Sequence, residues 1–255
     1  MNLRELRPNL WLTELVLDVF DVRGAVIVGE KQVVVWDTLS HPRDMAGVTE
    51  LAAGKPIYVV YSHADWDHCW GTSALKPDLI IAHQACGKRF EVGEVAESLA
   101  KMQASEPGTY DGVKLIPPTL TFADKLTLDL GGVTVELHHL PGHTEDCLVA
   151  FIPEWGVLLA GDTIETPLPY LEVSSVPMLP DWVNELERWN ADVRVQSVVP
   201  SHGGIGDRGL ISHNIRYLSA LRDGKPADVP AEMTKFYTET HAQNVQLTQG
   251  LSGTQ

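Results

Sequence analysis

Cysteine is scarce: Cys69, Cys86 and Cys147 are the three in 255 residues. They are too few and too scattered for a disulfide framework, and none forms a C-x-x-C pair, which suits a reducing compartment. Long apolar runs are also missing. No stretch approaches the length of about 18 residues that spans a bilayer, and the opening Met1-Asn2-Leu3-Arg4-Glu5-Leu6-Arg7-Pro8 has no apolar centre of a secretion signal. A soluble, cytoplasmic chain with no membrane partner is expected. Basic residues are outnumbered, 19 against 34 acidic ones, for a formal net charge of −15. A phosphate-rich polymer would meet a repulsive field, so nucleic acid is a poor partner and a small molecule a better one.

Linkers and repeats are absent too. No internal stretch is rich enough in Gly, Ser or charge to separate two units, and no period of solenoid length recurs, so one domain over residues 1–255 is expected. With 44% hydrophobic residues, the chain can bury a sizeable core.

What the chain does have is histidine and carboxylate at the ends of apolar runs. The densest stretch is Ser62-His63-Ala64-Asp65-Trp66-Asp67-His68, directly after the β-branched and aromatic run Ile57-Tyr58-Val59-Val60-Tyr61. Neutral imidazole with carboxylate is the ligand set of zinc, iron or manganese, and strand ends are where α/β proteins bind ligands. The pattern then repeats. His143 follows the alternating run Val133 to Leu137 on a Pro-Gly turn, Asp162 closes Val157 to Ala160, and His202 closes Val193 to Val199. Asp37 ends an earlier strand, where it serves either as a cap or as a partner of a nearby ligand.

Consecutive strands are expected over Leu10 to Val16, Gly24 to Val28 and Lys31 to Trp36, then at 57–61, 79–82, 126–130, 133–137, 147–152 and 157–160. Helices are expected over Pro42 to Gly54, Cys86 to Gln103, Asp181 to Trp189 with Trp182, Leu186 and Trp189 on one face, and Leu210 to Leu221. The tail from about Thr248 is expected to fray. His83 reads as a surface or capping residue, His138 and His139 as strand residues, and His41, His213 and His241 as surface residues. Cys69 is a weak ligand candidate beside His68, and Cys147 a core residue.

Taken together, the H-x-[HD]-x-D-H stretch, the G-H-T turn, the G-D-T at a strand end and the S-H-G near the C-terminus resemble the metallo-β-lactamase superfamily of metal-dependent hydrolases, in family order. The resemblance implies an α/β fold, an αβ/βα four-layer sandwich of two mixed sheets with flanking helices. It also implies a binuclear metal site, zinc most often, along one edge. By position, His63, Asp65 and His143 would hold the first ion, Asp67, His68 and His202 the second, and Asp162 would bridge them, with Asp37 behind. Two ions about 3.5–4 Å apart can share a water and present hydroxide to an ester, thioester, lactone, amide or phosphodiester. Asp67 would orient that hydroxide as the catalytic base. Trp66, Trp70, Tyr170, Leu171 and Met178 are candidates for an apolar substrate wall, the last three from the proline-rich loop Thr166 to Pro180.

Asp65 departs from the family, which usually has histidine there. Three carboxylates and one hydroxide neutralise two divalent ions completely, where the usual set leaves one positive charge. Harder oxygen ligation shifts preference towards iron or manganese. It also resembles the flavodiiron branch, so a di-iron redox protein, or a fold member that keeps metal without catalysis, is the rival to a hydrolase.

Overall fold

A computed structural model describes residues 1–249 and resolves two mixed β-sheets flanked by helices. The first sheet runs in chain order. It comprises β1 (Asn2–Arg7), β2 (Leu10–Val16), β3 (Asp21–Val28), β4 (Val33–Trp36), β5 (Ile57–Val60), β6 (Leu79–His83) and β7 (Leu120–Phe122). Its first four strands pair antiparallel and the rest parallel. The second sheet contains β8 (Lys125–Asp129), β9 (Thr134–His139), β10 (Leu148–Ile152), β11 (Val157–Gly161) and β12 (Ser197–Pro200), with β12 joined parallel to β11. The α/β sandwich expected from the motifs is the observed fold.

The alternation of side chains across each strand explains the layering. In β4, Val34 and Trp36 point between the sheets, while Val33 and Val35 point to the outer face. Strand β10 does the same, with Leu148, Ala150 and Ile152 inward and Val149 and Phe151 outward. Both faces of each sheet are apolar, so each needs a cover. Helices α1 (Val48–Ala52), α2 (Trp66–Cys69), α3 (Gln84–Glu91) and α4 (Glu94–Ser105) accompany the first sheet. Helices α5 (Leu179–Ala191), α6 (Arg208–Arg222) and α7 (Lys235–Thr248) accompany the second. Among the described residues no helix is long and apolar enough to cross a membrane.

Several elements differ from the sequence expectation, for local reasons. The helix expected over Pro42 to Gly54 is a 3₁₀ turn at Pro42–Met45 followed by α1, because Gly47 takes φ 87° between them. The helix expected from Cys86 to Gln103 is two, divided at Gly93 with φ 86°. The strand expected from Val193 shortens to Ser197–Pro200, and Val193 is 78% exposed. Helix α5 starts at Leu179, so Asp181, where the helix was expected to begin, lies in its first turn, and the face of Trp182, Leu186 and Trp189 packs in the core. Strand β1 and helix α7 carried no clear pattern and were not expected. His41, expected at the surface, is buried; it caps the 3₁₀ turn and meets the Asp111 carbonyl. His83 is buried and caps α3. His213 and His241 are half-buried, bonded to the Pro167 carbonyl and the Tyr217 hydroxyl. Of the tail expected to fray, residues 250–255 lie outside the described residues.

Three backbone hydrogen bonds set the edge at which the strands end. The Leu148 amide donates to the Ser62 carbonyl at 2.8 Å, tying the start of β10 to the end of β5 across the two sheets. Behind it, Thr38 N donates to His68 O at 2.7 Å and Gly71 N to Leu39 O at 3.1 Å. This tight crossing leaves no room at Gly71, where a Cβ would lie 1.8 Å from the Thr38 carbonyl oxygen. Gly71→Ala is therefore expected to destabilise the fold by about 3 kcal/mol, at the upper end of overpacking costs. Equilibrium urea unfolding of the variant against the parent measures it, and an unchanged midpoint would contradict the close approach.

Candidate metal centre

Parallel pairing brings the motif residues together. Trp36 of β4 is in register with Val60 of β5, so Asp37 and the segment from Ser62 leave the first sheet side by side. Gly161 of β11 is in register with Pro200 of β12, which places Asp162 beside Ser201 and His202. His143 arrives from the loop between β9 and β10, and the single turn of α2 carries Asp67 and His68. Asp37 adopts φ 59°, a left-handed backbone that turns its carboxylate back into the edge.

All seven side chains named as metal-site residues face one point. In the first group, Asp65 Oδ2 lies 3.5 Å from His63 Nε2 and 3.4 Å from His143 Nε2. In the second, the Asp67 oxygens lie 3.6 Å from both His68 Nε2 and His202 Nε2. Asp162 stands between the groups, 3.7 and 3.8 Å from His63 and His143 and 3.3 and 3.2 Å from His68 and His202. Ligands at 2.0–2.1 Å from a tetrahedral zinc are about 3.3 Å from one another, so both groups have the dimensions of a metal-ligand shell. Each set of three ligand atoms lies within 4.8 Å and could hold an ion.

The ring orientations agree with that reading. Every imidazole uses Nδ1 outward: His63 on Ser62 Oγ (3.0 Å), His68 on Asp37 Oδ2 (2.9 Å), His143 on the Tyr170 carbonyl (3.0 Å) and His202 on the Asp21 carbonyl (2.6 Å). A carbonyl or carboxylate only accepts, so in His68, His143 and His202 Nδ1 carries a proton and Nε2 is the atom left to face the centre. His63 Nε2, His68 Nε2 and Asp162 Oδ1 are buried without a hydrogen-bond partner. Orphaned buried atoms of this kind are costly, and a cation between them would satisfy all three.

The electrostatics show the same demand for positive charge. Burial opposes charging His143, yet its hydrogen bond with Asp65 and the charge of Asp162 push it up to about 10. Burial likewise opposes charging His202, and Asp162 raises it to about 10. Burial disfavours the charged form of Asp65 as well, but His63 and His143 hold its carboxyl well below the usual range.

Three functional neighbours were missed in the sequence. Glu165, buried near His143 and Asp162, is pushed up to about 7 by burial and by the charge of Asp162. Arg89 of α3 binds Asp65, and the fully buried Asp146 binds Arg89. None sits in a motif or at a strand end, so only the fold brings them to the centre. The substrate-wall candidates divide. Trp66 and Tyr170 line a cavity of about 480 Å³ over the centre, joined by Phe20, Phe236 and Tyr237. Trp70 and Leu171 do not line it: both are fully buried in the two outer cores, Trp70 against Trp66 and Tyr110. Met178 is half-buried and also stands away from it. The Cys69 thiol faces the Ala64 carbonyl at 3.5 Å, Cys147 is buried beside Thr144, and His138 and His139 meet Glu136 and the Glu145 carbonyl outside the centre.

Comparison with known proteins gives the same answer. The chain is 26% identical over 236 residues to a metallo-beta-lactamase type 2 of Bacillus sp. (strain 170), covering 86% of this chain and 82% of that one. It is 26% identical over 170 residues to the acyl-coenzyme A thioesterase MBLAC2 of Homo sapiens, covering 60% of this chain and 58% of that one. In fold it is similar to the solved DIM-1 metallo-beta-lactamase, with a TM-score of 0.68 at 18% identity over 86% of this chain and 97% of that one. Residues 18–203 match the profile of the Metallo-beta-lactamase superfamily, a span that contains every motif residue converging on Asp162, and the chain belongs to that superfamily of hydrolases.

Proposed function

We propose that the chain is a two-metal hydrolase acting on an uncharged acyl compound, an ester, thioester, lactone or amide, through a water activated at the edge where Asp162 meets the four imidazoles. The observation that carries this reading is the pair of ligand-sized groups sharing Asp162, with every imidazole fixed from behind. His63, Asp65 and His143 would hold the first ion, Asp67, His68 and His202 the second, and Asp162 would serve both. Divalent ions there, zinc first and iron or manganese favoured by the oxygen of Asp65, would acidify a water towards neutrality and polarise the scissile carbonyl. Asp67 takes the proton of the attacking water and passes it to the leaving heteroatom as its bond to the acyl carbon breaks. Asp37 holds His68 through its Nδ1.

The cavity supports the choice of substrate. The relatives named above are a metallo-beta-lactamase and an acyl-coenzyme A thioesterase. Phe20 forms the middle of an aromatic wall, with ring centroids 6.3 Å from Trp66 and 5.3 Å from Phe236. The rim carries Glu94, Glu97 and Glu172 against Lys101. An apolar acyl group is accepted against the aromatic wall.

With the ions removed by chelation, His143 and His202 take up protons in their place. His143 and His202, raised to about 10 from an ordinary value near 6.5, stabilise the metal-free fold fully below that lower value. That stabilisation is lost as pH rises through about 10. The thermal midpoint of the chelated protein is expected to fall between pH 7 and pH 10 while that of the metal-loaded protein stays flat. Calorimetric titration with zinc at pH 7 in buffers of different ionisation heat should show net proton release, and none would contradict the assignment.

Asp67→Asn is expected to lower kcat/KM by at least about 100-fold, as for loss of a general base. Phe20→Ala is expected to cost about tenfold on an arylalkanoyl ester and little on the acetyl ester, the selectivity that an apolar pocket supplies. A panel of p-nitrophenyl esters and thioesters, with and without a carboxylate on the acyl chain, measures both. Iron content with oxygen consumption and no turnover of any ester would instead favour the di-iron redox alternative.

A further inference from the structure

The carboxylate at position 65 stands where the resemblance to the superfamily implies an imidazole, and an arginine outside every motif is built around it. Arg89 Nη2 donates to Asp65 Oδ1 at 2.7 Å, leaving Oδ2 to face His63 and His143. Arg89 Nη1 donates to Asp146 Oδ1 at 3.0 Å, and Asp146 Oδ2 accepts from the Ala64 amide at 2.8 Å. The third arm, Nε, reaches Glu94 at 2.6 Å. One guanidinium thus joins α3, the loop that bears His63 and Asp65, and the loop that bears His143. Asp146 is fully buried, and Arg89 is mostly so.

This arrangement reproduces for a carboxylate what the outward Nδ1 bonds do for the imidazoles. A free aspartate can present either oxygen or both, and it can rotate out of the site. With Oδ1 occupied by a planar, permanently charged donor, a single oxygen in one orientation remains for an ion. We infer that Arg89 is a positioning residue that makes Asp65 a one-oxygen ligand of the first metal group, so that the Asp65–Arg89 pair replaces a histidine. The inference rests on the two-metal reading above and goes beyond it, since that reading needs only that Asp65 lie near the centre.

The test is metal content rather than turnover. Purified parent, Arg89→Met, Arg89→Lys and the double variant Asp65→His with Arg89→Met are loaded with zinc and dialysed. The metal-to-protein ratio is then measured, followed by titration with a competing chelator. The parent is expected to hold two ions. Arg89→Met should release the weaker one about 10–100-fold more readily, the usual cost of losing a ligand's outer partner. Arg89→Lys, which keeps the charge but not the fork, should fall between them. The double variant should recover the second ion, because a neutral imidazole at position 65 needs no arginine. It also leaves Asp146 without its arginine, as Arg89→Met does, so recovery separates positioning from loop stability. Circular dichroism checks that each variant is folded. If Arg89→Met does not fold, Arg89→Lys and the double variant still decide.

Two ions held equally well by parent and Arg89→Met would overturn the inference. So would a folded double variant that stays at one ion, since the loss would then come from loop distortion. A parent with one ion that Arg89→Met holds equally well would overturn it too, because Asp65 then serves no metal; ester turnover by that one-ion protein would leave the hydrolase reading intact.

Discussion

One buried carboxylate has four imidazoles around it: Asp162 lies within 3.8 Å of the Nε2 atoms of His63, His68, His143 and His202. Such a cluster cannot be left to itself. Imidazoles with inward lone pairs and carboxylates with unmet oxygens repel or must protonate unless a cation joins them. The surrounding structure keeps the cluster from relaxing. Nδ1 of each ring is engaged, Ser62 is tied across to Leu148, and the Thr38–His68 and Leu39–Gly71 crossings lock the back of the metal loop. The fold therefore pre-forms a site whose charge is incomplete, which is the condition for tight metal binding.

That frame also separates the parts that set chemistry from those that set selectivity. The motif residues sit on strand ends between two apolar sheets, where parallel pairing leaves little freedom. The cavity wall comes from elsewhere: Phe20 precedes β3, Trp66 opens α2, and Phe236 and Tyr237 lie on α7. Such elements can change without disturbing the centre, and that allows one scaffold to serve different substrates. Asp65 is the exception, a change within the centre itself, and Arg89, Asp146 and Glu94 show that it is supported by an outer set of partners.

The amino-acid sequence by itself marked the strands and the candidate ligand residues at their ends, and its resemblance to the superfamily implied the sandwich. Apolar runs of four to eight residues ending in His, Asp or Gly-Asp mark both strand and site, because buried strands must be apolar and a ligand must stand just beyond them. It also singled out Asp65 as the unusual member and Asp37 as a partner for a nearby ligand. Element boundaries were less legible where single glycines with positive φ cut a periodic helix, as at Gly47 and Gly93. The tertiary structure alone decided which aromatic residues reach the cavity. Trp70 and Leu171 carry the same apolar signal as Trp66 and Tyr170, and hydrophobicity does not say which face of a loop is covered. It likewise decided the placement of Arg89, Asp146 and Glu165. A charged side chain on a mixed helix or loop has no periodic signature, and its function arises only when distant segments fold against it.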